Sequence, residues 1–191
     1  LVQNGYVVFS LDNRGSGFRG TKFETALADD RGGRMGNVEV QDQVMGVEFL
    51  RSLPFVDTKH IGIFGWSYGG YMTLMCLMQA PDAFAAGVAG APVTDWTLYD
   101  THYTERYLGD PREVPEVYAA NSLVSGGELS RPAGVRRPLM VVHGLADDNV
   151  VVAHTLRLSS ALLAAGHPHE VLPLSGVTHM TPQEVVAENL L

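Results

Sequence analysis

The stretch His60-Ile61-Gly62-Ile63-Phe64-Gly65-Trp66-Ser67-Tyr68-Gly69-Gly70 passes from an apolar run into a glycine-bracketed serine. It then continues directly into Tyr71–Met78, which reads as helix. A strand, a sharp turn and a helix around Gly-x-Ser-x-Gly form a nucleophile elbow, the geometry that lifts a serine hydroxyl clear of a surface. A lone five-residue match is weak, and the strand before it and the helix after it give it weight. A hydroxyl is a poor nucleophile until a base takes its proton, so the rest of the chain must supply one.

Working outward, the other elements alternate. Tyr6–Leu11 is a nearly continuous apolar run, expected to be a buried strand. It follows Leu1–Gly5, which resembles a helix end at a glycine cap. Asp12–Gly20 is a Gly/Arg-rich loop. Asn37 is expected to cap a helix to about Leu53, with Val40, Val44, Val47 and Leu50 on one face and Pro54 at its end. Ile61–Phe64, the small-residue run Ala85–Ala91, Leu139–His143 and Glu170–Leu174 read as strands. Val151–Ala165 and Pro182–Leu191 read as helices, and 96–136 as short aromatic-bearing helices arching over the strand ends. This alternation predicts an α/β fold, a mostly parallel sheet with helices on both faces. Such sheets carry active residues at the carboxyl ends of their strands, where Ser67, Asp147 and His179 all fall.

The 191 residues suffice for one domain with a core. Twenty-one acidic against 13 basic residues give a net charge of -8, and no basic stripe exists to meet a nucleic-acid backbone. No apolar run reaches the ~18 residues of a membrane span. Cys76 is the only cysteine and sits in an apolar stretch, which suits a small buried hydrophobe. The absence of a disulfide leans towards the cytoplasm, with periplasmic and secreted locations left open. No cofactor is expected. Histidines and acids never form a compact ligand-spaced metal set, and the Gly15/Gly17/Gly20 loop lacks the lysine and helix of a phosphate site.

Elbow enzymes of this order place the orienting acid and then the base after the serine. Asp147 and Asp148 share a loop just past Leu139–His143, and His179 follows the last strand. The separations are 80 and 32 residues, enough for the intervening elements. His179 would act as general base and Asp147 would hold its tautomer. Asp148 is a rival, and Asp147 could instead cap the following helix. His60, His102, His143, His154, His167 and His169 fit the base position less well, and His143 reads as a structural group close to the site. Activity is expected to rise across neutral pH as the base gives up its proton. The backbone N–H of Tyr68 is one oxyanion donor. A second is expected from sequence upstream of Leu1, and losing one such donor costs on the order of 3 kcal/mol in proteases.

Phe64–Gly70, Tyr99–Gly109 and His143–Val150, with DNRGSGFRG at 12–20 and GNVEVQDQ at 36–43, resemble the prolyl oligopeptidase family of serine peptidases, and above all its dipeptidyl peptidase IV-like branch. The resemblance spans almost the whole chain. It implies an α/β-hydrolase catalytic domain, of which 1–191 would be the later part, and an upstream β-propeller. It also implies a peptide substrate, no cofactor, and compatibility with a homodimer. Ser67, Asp147 and His179 match the triad, and Tyr68 the elbow residue that donates its N–H. Val93, Trp96, Tyr99, Tyr103 and Val150 match the pocket for a proline ring, and Trp66 beside the nucleophile joins the substrate-binding set. Asn149 matches the donor to the penultimate carbonyl. Arg14 matches a structural arginine. Gly176–Met180 departs from the family by lacking acidic and glycine neighbours around the histidine. The tyrosine completing the oxyanion hole, and the glutamates and arginine gripping a free amino terminus, would lie in other sequence.

The implied reaction is release of N-terminal Xaa-Pro or Xaa-Ala dipeptides. An acylaminoacyl-peptidase, a prolyl endopeptidase, a carboxylesterase, or a catalytically incomplete interaction module are the competing readings.

Overall fold

The computed structural model describes residues 1–27, 35–124 and 135–180. Four parallel strands lie side by side in chain order: β1 (Gly62–Trp66), β2 (Ala86–Gly90), β3 (Leu139–Gly144) and β4 (Glu170–Leu174). Trp66 is level with Gly90, Gly90 with Val142, and Val142 with Leu172, so the carboxyl ends are aligned. The helices are α1 (Thr21–Glu24), α2 (Asn37–Arg51), α3 (Tyr68–Gln79), α4 (Thr101–Leu108), α5 (Pro115–Asn121) and α6 (Ala153–Ala164). Among the described residues no helix is long and apolar enough to cross a membrane.

The core is built around α3, in which every residue from Gly70 to Met78 is buried. A helix apolar all round needs cover on all sides. It gets this from β1, β2 and α2. The small residues of β2 allow the approach: a Cβ on Gly87 would stand 2.6 Å from a Leu77 methyl group. Each fully buried leucine here contributes roughly 1.5–3 kcal/mol. Cys76 is fully buried in this layer, and burial pushes its thiol pKa up to about 12. Helix α2 adds Val40 and Val47 to the core and packs Val44 and Leu50 against it, the face expected from their spacing.

Three expectations are corrected. Tyr6–Leu11 forms no strand. With β1 at the edge of the described sheet, the run has no backbone ladder, and Tyr6–Phe9 are exposed. Phe9 and Leu11 instead lean on α2: the Phe9 and Phe49 rings are 5.8 Å apart, and Leu11 reaches Gly46. An apolar run specifies burial, whereas a strand also needs a neighbour. The cap of α2 is Gly36 at φ 94°, a left-handed conformation glycine adopts freely. Asn37 is the first helical residue, and its side-chain oxygen accepts from Gln79 Nε2 at 2.8 Å, tying α2 to α3. Finally, α6 begins at Ala153 rather than Val151. The helix expected over Pro182–Leu191 lies outside the described residues, as does 125–134 of the aromatic-bearing segment.

Helix α6 fixes the chain that leaves β2. The Thr94 N–H donates to His154 Nδ1 at 3.1 Å, and the Thr94 hydroxyl donates to the His154 carbonyl at 2.9 Å. Accepting at Nδ1 requires a neutral ring, and burial of His154 pushes its pKa from 6.5 down to about 4. Unfolding therefore takes up a proton between those pH values, so this contribution is complete above 6.5 and is lost as pH falls through about 4. Urea unfolding should show stability falling by up to about 1.4 kcal/mol per pH unit across that window on account of this group. His154→Asn keeps an acceptor for Thr94 without a titrating ring, and its profile should be shallower by that amount.

Candidate active site

At the carboxyl edge of the sheet the chain turns from β1 into α3 within one residue. Ser67 takes φ 59° and ψ −116°, a conformation costly for a side chain other than glycine. The turn is held on both sides: Ser67 N–H donates to the Gly90 carbonyl at 2.8 Å, and its own carbonyl accepts from Tyr71 N–H at 3.1 Å. Gly65 is sterically required, because a Cβ there would lie 2.1 Å from the Gly69 carbonyl oxygen. Gly69, the second motif glycine, faces open space, while Gly70 abuts the β2 backbone, with a Cβ there 2.5 Å from the Gly90 oxygen. As the first residue of α3, Tyr68 has an N–H without an intrahelical acceptor, at the positive end of the helix dipole.

The loops after β3 and β4 bring two further groups together. Asp147 is buried, and its Oδ2 is 2.7 Å from His179 Nδ1. Its Oδ1 accepts from the N–H groups of Asn149 and Val150 at 3.0 and 2.9 Å. Asp147 thus caps its own turn and not α6, while its rival Asp148 points to solvent. Backbone contacts fasten the two loops: Leu145 N–H donates to the Leu174 carbonyl at 2.9 Å, and Ala146 N–H to the Val177 carbonyl at 3.0 Å. Gly144 permits this, since a Cβ there would meet the Val177 oxygen at 2.3 Å. No hydrogen bond to the Ser67 hydroxyl is formed among the described residues. With Nδ1 turned to Asp147, Nε2 is the His179 nitrogen left to serve a proton acceptor's role.

His143 is buried beneath this pair. Its Nδ1 meets Thr155 Oγ1 at 2.7 Å, its Nε2 meets the Val150 carbonyl at 2.7 Å, and that same nitrogen is 3.4 Å from Asp147 Oδ2. Desolvation holds its pKa below the usual histidine value. A neutral ring that donates to a carbonyl and accepts a hydroxyl proton satisfies every polar atom there, which fits the structural reading.

Beside the elbow stands an aromatic group centred on the buried Trp96. Tyr71 and Tyr99 meet it edge-on with centroids 5.2 and 6.0 Å away, Tyr103 stacks on it at 6.2 Å, and Tyr68 is tilted at 6.1 Å. Val93 and Val150 are buried, and the half-buried Tyr99 reaches the exposed Asn149, its hydroxyl 3.2 Å from the Asn149 Oδ1. Asp95 and Asp100 cap the turn Trp96–Leu98 and α4 by accepting from Thr97 and Tyr103 N–H groups. Burial pushes the Tyr103 phenol up to about 12, so it remains a hydroxyl at any working pH. Trp66, expected beside the substrate, turns its indole N–H to the His179 carbonyl at 3.0 Å.

Two acidic groups near the elbow are not among the candidates named from the sequence. Glu39, on α2, is wholly buried, and its carboxylate accepts from the Tyr68 hydroxyl at 2.5 Å. Asp42, one turn further on, receives Arg14 through both guanidinium and backbone N–H groups at 2.7–3.0 Å, which gives Arg14 its structural place. Acids at positions 39 and 42 read as a solvated helix face until the fold covers one of them. The capping-box position of Glu39, three residues after Gly36, was the available signal.

The prolyl oligopeptidase family profile matches residues 1–189. The chain belongs to the prolyl oligopeptidase family. Among its relatives, dipeptidyl peptidase 8 of Mus musculus is 46% identical over 90% of this chain and 19% of its own length. The Homo sapiens protein of that name is also 46% identical over 90% of this chain, and 18% of its own length is covered. The crystal structure of Porphyromonas gingivalis dipeptidyl peptidase 4 superposes with a TM-score of 0.79 at 34% identity, covering 93% of this chain and 25% of that one. The family membership and this superposition establish the α/β-hydrolase fold. The chain spans about a fifth of the length of the curated relatives it matches.

The Trp66 indole bridges elbow and histidine loop, so Trp66→Phe should loosen that loop while keeping an aromatic ring. Hydrogen exchange at the Ala146 amide, which is bonded to Val177, should accelerate several-fold, corresponding to about 1 kcal/mol. Unchanged protection would mean that the indole bond holds nothing in place.

Proposed function

We propose that the protein is a serine peptidase that removes dipeptides with proline or alanine in second position from free amino termini, with Ser67, His179 and Asp147 as its triad. The observation that carries this reading is the buried Asp147 bound to His179 Nδ1 at 2.7 Å, on the same sheet edge as a serine held at φ 59°. The relatives, named as dipeptidyl peptidases, support the substrate class.

In this reading Ser67 Oγ attacks the carbonyl of the second substrate residue as His179 Nε2 takes its proton. Asp147 stabilises the imidazolium without taking the proton itself. The Tyr68 N–H receives the oxyanion, and His179 returns the proton to the departing amine. Water, deprotonated by the same ring, then releases the dipeptide from Ser67. Trp96, Tyr99, Tyr103, Val93 and Val150 form the wall against a proline ring, which flat rings and branched aliphatics can hold by contact alone. Asn149 accepts the Tyr99 hydroxyl through its oxygen, which leaves its amide N–H groups for a substrate carbonyl. Trp66 serves this pocket indirectly, by holding the histidine loop. The chain is proposed as the later part of a catalytic domain. A propeller, a second oxyanion donor, a clamp for the substrate's amino group and a homodimer contact are assigned to the full-length protein on family resemblance.

Fluorophosphonate labelling of the full-length protein should be abolished by Ser67→Ala, with kcat falling at least ~10⁴-fold. Asp147→Asn should fall by ~10⁴ with the protein still folded, as expected for a wrongly held tautomer. Gly-Pro and Ala-Ala amides with a free amino group should be cleaved faster than their acylated forms. Preference for blocked substrates would instead assign an acylaminoacyl-peptidase or endopeptidase. An unlabelled full-length protein would leave an interaction module.

A further inference from the structure

Among the described residues, Glu39 is a buried carboxylate to which the triad and pocket give no task. Glu39 has no solvent exposure, yet it lies on a helix whose neighbouring positions 41–45 are at least partly open to solvent. Its Oε2 accepts from the Gly36 N–H at 2.9 Å, which completes a helix cap. A cap needs only that oxygen and is ordinarily made at the surface, where the carboxylate keeps its water. Here the second oxygen is turned inward and accepts from the Tyr68 hydroxyl at 2.5 Å. A capping bond does not account for drying a carboxylate completely.

Tyr68 follows Ser67 directly. Its backbone N–H opens α3, and its ring touches Tyr71 at 5.7 Å and Trp96 at 6.1 Å. The phenol is therefore fixed at both ends, by the aromatic group along its faces and by Glu39 at its tip. The charged groups that bear on Glu39 are few. Asp42 lies one turn along α2, and Arg14, the cation whose field reaches it, is already bound to Asp42. Burial lifts the Glu39 carboxyl upward, and the hydrogen bonds from Tyr68 and Gly36 pull it back. The Tyr68 phenol is itself held well above its ordinary value by desolvation, so it stays a donor.

We propose that Glu39 is a positioning residue for acylation: by holding the Tyr68 phenol inside the protein, it fixes the backbone N–H that receives the oxyanion. This rests on the peptidase reading above, in which Tyr68 supplies that donor. A tether at the ring's tip limits rotation of the whole residue about its Cα, and an oxyanion donor loses value steeply when its direction drifts. Glu39 touches no reacting atom and acts only through Tyr68.

The test uses the full-length protein. Tyr68→Phe removes one oxygen and keeps the ring, so packing is retained. Glu39→Gln keeps an acceptor for the phenol, and Glu39→Ala removes it. Pre-steady-state acylation on a Gly-Pro amide, steady-state kcat and KM, and thermal melting would be measured for each. The expected result is a loss in acylation rate of about tenfold or more for Tyr68→Phe and Glu39→Ala, with KM within twofold, partial rescue by Glu39→Gln, and no further loss in Tyr68→Phe/Glu39→Ala. A merely structural glutamate would lower the melting temperature and leave kcat of the folded protein intact, which overturns the proposal. A change confined to KM overturns it too, by making Tyr68 a pocket wall only. Ser67→Ala in the same assay separates the two levels. If it is inactive while Tyr68→Phe is normal, only the role of Glu39 fails, whereas an active Ser67→Ala removes the peptidase reading itself.

Discussion

The closeness of three backbones around Gly65, Gly70 and Gly90 sets the rest of the carboxyl edge in place. Methyl groups at these positions would lie 2.1 Å from the Gly69 oxygen, 2.5 Å from the Gly90 oxygen and 1.9 Å from the Trp66 ring, respectively. Without these contacts β1 could not turn into α3 beside β2, and Ser67 would relax out of its positive φ. Strain of this kind persists only where surrounding structure over-determines it. Here the determinants are the hydrogen bonds from Ser67 to Gly90 and from Tyr71 to Ser67 together with the helix that follows, buried from Gly70 to Met78.

Polar groups placed under this edge follow one pattern. Asp147, His143, His154 and Glu39 are each buried; His143, His154 and Glu39 are engaged by backbone or hydroxyl partners from a different element, and Asp147 by two N–H groups of its own turn and by the His179 ring. Burial drives His143 and His154 towards the neutral form, so both rings work as hydrogen-bonding posts and not as charges. Asp147 differs because one oxygen is saturated by two backbone N–H groups and the other is spent on His179. Networks of this sort specify geometry more than they add stability, since each member must first be desolvated.

Much of this was readable along the chain. The strands at 61–64, 85–91, 139–143 and 170–174 and the helix after Ser67 were declared by periodicity and glycine placement, and only the inner two, at 85–91 and 139–143, have the burial that a continuous run of apolar or small residues implies. Ser67 was declared by its context. The choice of Asp147 over Asp148 was not, since adjacent acids in a loop differ only in which of them faces inward. Tyr6–Leu11 misled because an apolar run cannot reveal whether a hydrogen-bonding neighbour exists. Glu39 was hidden for the opposite reason: a charged residue in an amphipathic helix looks solvated until the aromatic layer that covers it is known. The spacing of Ser67, Asp147 and His179 marked candidates, while the contact between Trp66 and the His179 carbonyl, 113 residues apart, belongs to tertiary structure alone.

That indole bond has a consequence for how error spreads through the molecule. Trp66 is covalently next to the serine and hydrogen-bonded to the backbone of the histidine, so both are surveyed from one rigid plate. A displacement of β1 carries the two together, and their separation changes less than either position does. Distances across the sheet edge are thereby protected against breathing of the whole sheet, while a motion confined to the loop after β4 must first break a specific bond.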